Sequence, residues 1–307
     1  MSKKIASVVV TFNRKKQLLQ NLKSQFMQSY PLATIIIIDN CSTDGTYEYL
    51  AENNVFDDKR VNYIVLPENL GGAGGFERGT IEAFRSGADF ALLMDDDGYA
   101  LNEDTVKNLV EKAQADNPLV MINSLVLCND EKLSFGLGPE LNTKTQCEKS
   151  QINGLIKGAI NPFNGTLISK ELYEKIGVPN GKFFIRGDEQ EYQLRASEAN
   201  AFIATVTSSL YFHPSFTERE VKTFLGKTFI NSYDAPWKEY YGTRNMTYAL
   251  RQRSNFKAFK RYIVLLLGLR LFDVPNKRKV KQFIKLGYKH GKKGILGKTI
   301  KPGQDTI

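Results

Sequence analysis

The sequence predicts an α/β fold built on a parallel sheet that carries helices on both faces. Two observations predict it: strand-like β-branched runs alternate with helical patterns across the first hundred residues, and those runs are continuously apolar, as strands buried on both sides must be. Ligands of such a sheet collect at the carboxyl ends of its strands.

Ile5 to Thr11 (IASVVVT) reads as the first buried strand, followed by a helix over Arg14 to Met27 with Leu18, Leu19, Leu22 and Phe26 at helical spacing. Ile35 to Asp39 is a second strand, Asn40 to Gly45 (NCSTDG) a turn, and Thr46 to Asn53 a helix. Val61 to Leu66 is a third strand, Gly71 to Gly75 a glycine-rich loop, Glu77 to Ser86 a helix and Asp89 to Met94 a fourth strand. Beyond residue 100 the pattern loosens into a helix (Glu103 to Ala115), short strands (Leu119 to Leu127) and a polar stretch to Asn153, a mixed α/β half. After Pro236 the chain turns helical and basic, with Phe256, Phe259, Ile263 and Leu266 to Leu267 on one helical face, and Val280, Phe283 and Ile284 on another. The expected division is a domain over 1–235, with a nucleotide-binding half (1–100) and an acceptor-binding half (101–235), and a basic helical region over 236–307.

A chain of 307 residues that is 42% hydrophobic and 24% charged can bury a sizeable core. Its three cysteines lack C-x-x-C spacing, which argues against a disulfide framework or a structural zinc site and places the protein in the cytosol. The N-terminus runs directly into a strand pattern instead of a secretory leader, and the longest uncharged apolar stretch, Tyr262 to Leu269, is far short of the roughly 20 residues of a spanning helix. The net charge is +9, but residues 251–301 hold 16 Lys or Arg against Asp273 alone, leaving −6 for everything else. A basic tail on an acidic body suits an anionic bilayer surface and argues against a nucleic-acid reader, whose positive charge belongs on the folded body.

The acids mark the chemistry. Asp39 ends the second strand, and Asp95, Asp96 and Asp97 end the fourth, so both fall on one sheet edge. Three adjacent carboxylates repel one another unless a divalent cation shares them, and such a cation would hold a diphosphate; the plainer alternative is a solvated acidic turn. The loop Asn69 to Phe76 fails the dinucleotide fingerprint, because Glu77 stands where a last small residue belongs and the loop follows the third strand. Its glycines are expected to admit a sugar or phosphate close to the backbone. Gly187-Asp188-Glu189 precedes a helical pattern, where its acids are either dipole partners or a general base for a hydroxyl. His213, in an apolar segment, reads by its surroundings as a core residue, and His290, among lysines, as exposed. No G-x-S-x-G elbow or P-loop occurs.

In order, Ser7 to Arg14, Ile38 to Gly45, Asn69 to Phe76 and Met94-Asp95-Asp96-Asp97 resemble the motifs of inverting family 2 glycosyltransferases with a GT-A fold, closely over the first hundred residues, which implies a Rossmann-like mixed sheet with helices on both faces. Across 1–250 the glycine loop, the triple aspartate and the later acidic and histidine motifs look like the galactofuranosyltransferase and rhamnosyltransferase branch. The resemblance implies that Thr11, Phe12, Asn13 and Arg14 border the base and ribose, that Asp39 holds the uracil or thymine ring, and that Asn69, Gly74, Arg78, Asp95 and Asp96 complete the donor site. It further implies that Asp97, with Asp95 and His213, holds Mn²⁺ or Mg²⁺. Where the relatives carry Trp-Asp-Asp this chain has Gly187-Asp188-Glu189, so Glu189 falls at the base position and Asp188 is a second candidate. Tyr240-Tyr241 with Arg244-Asn245 matches a further motif of the branch to which no role attaches.

The implied activity is inverting transfer of galactofuranose from UDP-galactofuranose to a hydroxyl of a lipid-linked or polysaccharide acceptor in bacterial surface glycan synthesis. dTDP-rhamnose is the runner-up donor, and a catalytically inactive carbohydrate-binding scaffold the alternative class. The expected location is the cytoplasm, peripheral on the inner face of the membrane through the basic tail. The amphipathic tail also allows a homo-oligomer.

Overall fold

Continuous β-branched runs form the centre of the sheet, because strands covered on both sides need no polar face. In the computed structural model, which describes residues 2–113, 117–138, 140–214, 221–224, 227–230, 233–304 and 306, β1 (Ile5–Thr11) is buried along its whole length. It is flanked in parallel by β2 (Thr34–Asp39) and β4 (Phe90–Asp95), and β3 (Val61–Val65) pairs beyond β2. The sheet continues through β8 (Asn164–Ser169), antiparallel to β4, then β6 (Val120–Leu127), β9 (Phe202–Phe212) and β5 (Tyr99–Ala100), with β7 (Leu155–Lys157) also on β9. The antiparallel β8 makes the sheet mixed.

Side chains alternate between two cores, as a period of two requires. Ile5, Val9, Ile35, Ile37, Leu92 and Met94 pack with Leu18 and Leu22 of α1 (Lys15–Phe26) and Leu109 of α4 (Thr105–Lys112). Ala6, Val8, Val10, Ile36, Ile38 and Leu93 pack with Phe76 and Phe84 of α3 (Gly71–Arg85), Leu172 of α6 (Lys170–Ile176) and Tyr192 of α7 (Asp188–Glu198). Both faces are therefore covered.

Four local expectations change. Residues 71–75 open the helix α3 instead of forming a loop. The strand pieces over 119–127 are the single strand β6. The polar stretch before Asn153 contains α5 (Lys144–Ser150), whose Thr143 and Gln146 form a reciprocal capping box. The expected helix over 103–115 shortens to α4, its last expected residue, Ala115, lying outside the described residues. α2 (Thr46–Glu52) falls as expected.

The chain divides into two compact units. One comprises residues 1–70, 75–179 and 192–215, and holds the large sheet; the other comprises 71–74, 180–191 and 216–307. The second unit contains the hairpin of β10 (Val221–Phe224) and β11 (Lys227–Ile230) and the helices α8 (Pro236–Arg251), α9 (Asn255–Leu271) and α10 (Lys277–Lys293). α10 approaches α8 so closely that a Cβ on Gly287 would lie 2.5 Å from the Tyr240 carbonyl oxygen, and one on Gly291 2.4 Å from that of Arg244. The Val280, Phe283 and Ile284 face is buried, whereas on α9 Phe256, Phe259 and Leu267 are exposed. His290 is half-buried rather than exposed, because its Nδ1 meets the Tyr240 hydroxyl at 2.7 Å.

Candidate active site

Parallel pairing sets Thr11 beside Asp39 and Val10 beside Asp95, so the carboxyl ends of β1, β2 and β4 form one edge. The turn after β4 then folds its acids back over β1. Thr11 Oγ1 donates to Asp96 Oδ2 at 2.8 Å, and Arg14 Nη1 donates to Asp96 Oδ1 at 3.1 Å and to Asp97 Oδ2 at 2.6 Å. Burial pushes the Asp96 carboxyl up to about 6, against the opposing pull of Arg14 and Thr11.

His213, one residue past β9, reaches the other oxygen of Asp97, with Nε2 to Oδ1 at 3.3 Å. Its Nδ1 lies 2.8 Å from the Pro214 carbonyl oxygen, which can only accept, so Nδ1 carries hydrogen and Nε2 faces the acid. The ring lies tilted against Phe135, with centroids 5.0 Å apart, and the backbone amide of His213 donates to the Leu127 carbonyl at 2.9 Å. Burial opposes a charged imidazole, yet the Asp97 hydrogen bond and the charges of Asp95 and Asp97 outweigh it and raise the His213 pKa. For Asp97, burial alone would raise the pKa, but His213 and Arg14 prevail and hold it below the usual carboxylate range. Carboxylate and imidazole together suit a divalent ion such as Mn²⁺. Among the described residues no three His, Cys, Asp or Glu side chains converge to hold a metal unaided. An ion held by this pair would take its further ligands from outside these side chains.

Asp39 Oδ1 accepts from the Ser42 amide at 2.8 Å, and its other oxygen accepts from the Tyr63 hydroxyl. Asn13, in the left-handed region at φ 53°, accepts from the Thr43 amide at 2.7 Å through its side chain and so staples the two strand-end loops together. Phe12 is 41% exposed beside them. Asn69 is half-buried and Gly74 buried, while the Arg78 guanidinium pairs with Glu82 one turn along α3, at 2.9 Å. Gly71 and Gly75 admit protein rather than ligand: a Cβ on Gly71 would lie 2.0 Å from the Phe184 carbonyl oxygen, and one on Gly75 2.3 Å from Val10 Cγ1.

Asp188 and Glu189 form the first turn of α7, in the second unit. Asp188 is buried, and Glu189 Oε2 accepts from the Gly187 amide at 3.1 Å, capping its own helix.

Sequence reasoning passed over the buried polar chain beneath the turn. Asn21 Nδ2 donates to the carbonyls of Asp95 (3.2 Å) and Gly98 (2.7 Å), Gln25 Nε2 donates to Asn21 Oδ1 (2.5 Å), and Ser7 Oγ donates to Gln25 Oε1 (2.5 Å). Tyr211 packs where a Cβ on Gly98 would stand. The signal was present: Asn21 and Gln25 are amides at helical spacing on the apolar face of α1.

The model of the family described as "Glycosyl transferase family 2" matches residues 7–177. The chain is 30% identical to galactofuranosyltransferase GlfT1 of Mycolicibacterium smegmatis over 258 residues, 81% of this chain and 83% of that protein. It is 24% identical to dTDP-rhamnosyl transferase RfbF of Shigella flexneri over 275 residues, 88% of this chain and 85% of that one. In fold it is similar to mannosyltransferase PcManGT from Pyrobaculum calidifontis, solved with GDP-Man and Mn²⁺, with a TM-score of 0.58 at 12% identity, covering 95% of this chain and 74% of that one. The mixed sheet, with its acids at the end of β4, is thus of the GT-A type. A family match across more than half of the chain, together with a relative of this similarity along most of its length, shows that the protein belongs to glycosyl transferase family 2 and is a glycosyltransferase.

Proposed function

We propose that the protein transfers galactofuranose from UDP-galactofuranose, with inversion and with the help of a divalent cation, to a hydroxyl of a lipid-linked or polysaccharide acceptor. The observation that carries the reading is the Asp97–His213 pair beside Arg14 at the carboxyl ends of β1 and β4; similarity to GlfT1 supports galactofuranose as the sugar. Thr11, Phe12, Asn13 and Arg14 would border the nucleoside, with Asn69, Gly74, Arg78, Asp95 and Asp96 around the rest of the donor. Asp39 would accept the ring N–H, since its carboxylate offers about four acceptor sites and Ser42 and Tyr63 use two of them.

Asp97 and His213 would hold Mn²⁺ or Mg²⁺, which when bound supplies positive charge to a departing diphosphate, with Asp95 near the ribose and phosphates. Glu189 or Asp188 takes the proton of the acceptor hydroxyl as its oxygen bonds to the anomeric carbon. The bond from that carbon to the diphosphate oxygen breaks on the opposite face, its electron pair leaving with the nucleotide.

The basic helical region would place the protein peripherally on the anionic inner face of the membrane. α9 supports this with exposed Phe256, Phe259 and Leu267 beside exposed Lys257, Lys260 and Arg270. No helix among the described residues is long and apolar enough to cross a membrane.

A panel of nucleotide sugars with Mn²⁺, scored by free UDP or TDP, tests the donor. UDP-galactofuranose is expected to turn over fastest. Preference for dTDP-rhamnose would move the protein to rhamnosyl transfer, and no release from any sugar would end the catalytic reading.

A further inference from the structure

The Tyr240-Tyr241 and Arg244-Asn245 motif has no role in the reaction proposed above, yet it buries a cation in the second unit. Arg244 is fully buried, and among the described residues the groups acting on its charge are Tyr240 and Tyr241 rather than a carboxylate. A buried cation is tolerated only when its donors are all taken up. Here they go to backbone oxygens: Nη2 to Phe183 at 2.9 Å and Nη1 to Gly297 at 2.6 Å, with Nε to Asn245 Oδ1 at 2.8 Å, while the guanidinium lies over the Tyr240 and Tyr241 rings.

That last bond fixes Asn245. A guanidinium only donates, so the amide oxygen must face it and the NH₂ must face the other way. The NH₂ lies 3.0, 2.9 and 2.7 Å from the carbonyl oxygens of Phe183, Ile185 and Arg186. The carbonyl between them, that of Phe184, accepts from the Ala73 amide at 3.0 Å. Four consecutive carbonyls thus have named donors outside their own segment.

The segment needs them. Phe184, Arg186 and Gly187 have φ of 67°, 60° and 87°, and left-handed backbone at a phenylalanine persists only where its surroundings dictate it. Asp188 and Glu189 follow at once. Residues 297–300 complete the frame: the Gly297 amide donates to the Lys182 carbonyl at 2.7 Å, Thr299 Oγ1 meets the Tyr240 hydroxyl at 2.7 Å, and the Tyr241 hydroxyl donates to the Ile300 carbonyl at 2.7 Å.

We infer that Arg244 and Asn245 are positioning residues, which with residues 297–300 hold the strained segment Phe183–Gly187 in the one conformation that aims Asp188 and Glu189. The inference rests on the proposal that one of those acids is the base. An ordinary core contact would be met by apolar side chains; donors matched to successive carbonyls set backbone direction instead.

Asn245→Asp is the discriminating variant, because it keeps an acceptor for Arg244, adds a counter-charge to it, and removes the donors to the segment. In the full-length enzyme, kcat for transfer is expected to fall about 100-fold, the cost of misplacing a reacting group by about 1 Å, with KM for the nucleotide sugar little changed and Tm lowered, since the Ile185 and Arg186 carbonyls lose their side-chain donor and face a carboxylate oxygen. Amide exchange across 183–189 should quicken about tenfold. Thr299→Val, at an exposed side chain, should move both readouts the same way by less, and serves if Asn245→Asp does not fold. Unchanged exchange in the variant would overturn the clamp whatever the base. Faster exchange with unchanged kcat would overturn the positioning role; if Asp188→Asn and Glu189→Gln were then silent too, the fault would lie with the assignment of the base.

Discussion

Asn21 shows how one buried side chain can set the turn that carries the triple aspartate. Its amide closes the turn from Asp95 to Gly98 from below, so the direction of Asp96 and Asp97 depends on a residue of α1. In Asn21→Ala the Gly98 carbonyl and the Gln25 amide lose a buried partner, each a group that is expensive to leave unmet, while the Asp95 carbonyl keeps the Tyr211 hydroxyl and the Gly98 amide at 3.4 Å. A loss of about 2–3 kcal/mol is expected, read as a lower urea midpoint with an unchanged m-value. A midpoint equal to that of the parent would mean that water replaces the amide and that the turn does not depend on it. Thr11, Asp39 and the triple aspartate were legible in the sequence because each ends a strand whose apolar run is unmistakable. Asn21, Gln25 and Tyr211 were not, since their importance lies in which carbonyl or turn they meet. His213 stood between: its surroundings read as core and the resemblance joined it to Asp97, while the pairing of β9 with β6 and β5 is what brings it there.

The glycine-rich start of α3 shows the same limit at the level of an element. Glycine disfavours a helix by about 1 kcal/mol relative to alanine, so Gly-Gly-Ala-Gly-Gly reads locally as a loop. Packing decides otherwise, because Gly75 and Gly79 let α3 lie directly on Val10 and Val8 of β1. Intrinsic propensity and packing therefore predict opposite signs for one substitution. For Gly75→Ala the gain of about 1 kcal/mol is opposed by a methyl 2.3 Å from Val10 Cγ1, and overpacking a tight contact costs about 1–3 kcal/mol. A net loss of about 1 kcal/mol is expected by thermal or urea denaturation. Gly72→Ala is the control, since nothing lies within 4 Å of its Cβ position, and it should be neutral or slightly stabilising. Equal gains at both sites would show that α3 shifts freely on β1. α5 was legible in principle through its capping box, but seven residues without a strong apolar face announce little.

For the whole molecule, the decisive quantity is the placement of charge. Residues 251–301 carry +15 against −6 elsewhere, and the structure separates two uses of the apolar positions within them. Those of α10 are spent on packing, whereas on α9 Phe256 is 72% exposed, Phe259 48% and Leu267 40%. Lys257, Lys260 and Arg270 are exposed on the same helix. Each basic residue near an anionic bilayer contributes about 1 kcal/mol, and each phenylalanine side chain removed from water about 1.5–3 kcal/mol. The two contributions respond differently to salt, because only the first is screened. The intact protein is therefore expected to co-sediment with phosphatidylserine-containing vesicles at low salt and to retain a measurable fraction at high salt. Phe256→Ser with Phe259→Ser removes about 3 kcal/mol or more, a loss of over 100-fold in partitioning, and should abolish the salt-resistant fraction while leaving the low-salt attraction to the remaining lysines. Uncharged vesicles separate the contributions from the other side, since there only the apolar stripe acts. Failure of the intact protein to bind anionic vesicles at low salt would exclude the membrane. A dimer in solution that the same double substitution dissociates would then assign the exposed face of α9 to a second copy of the chain.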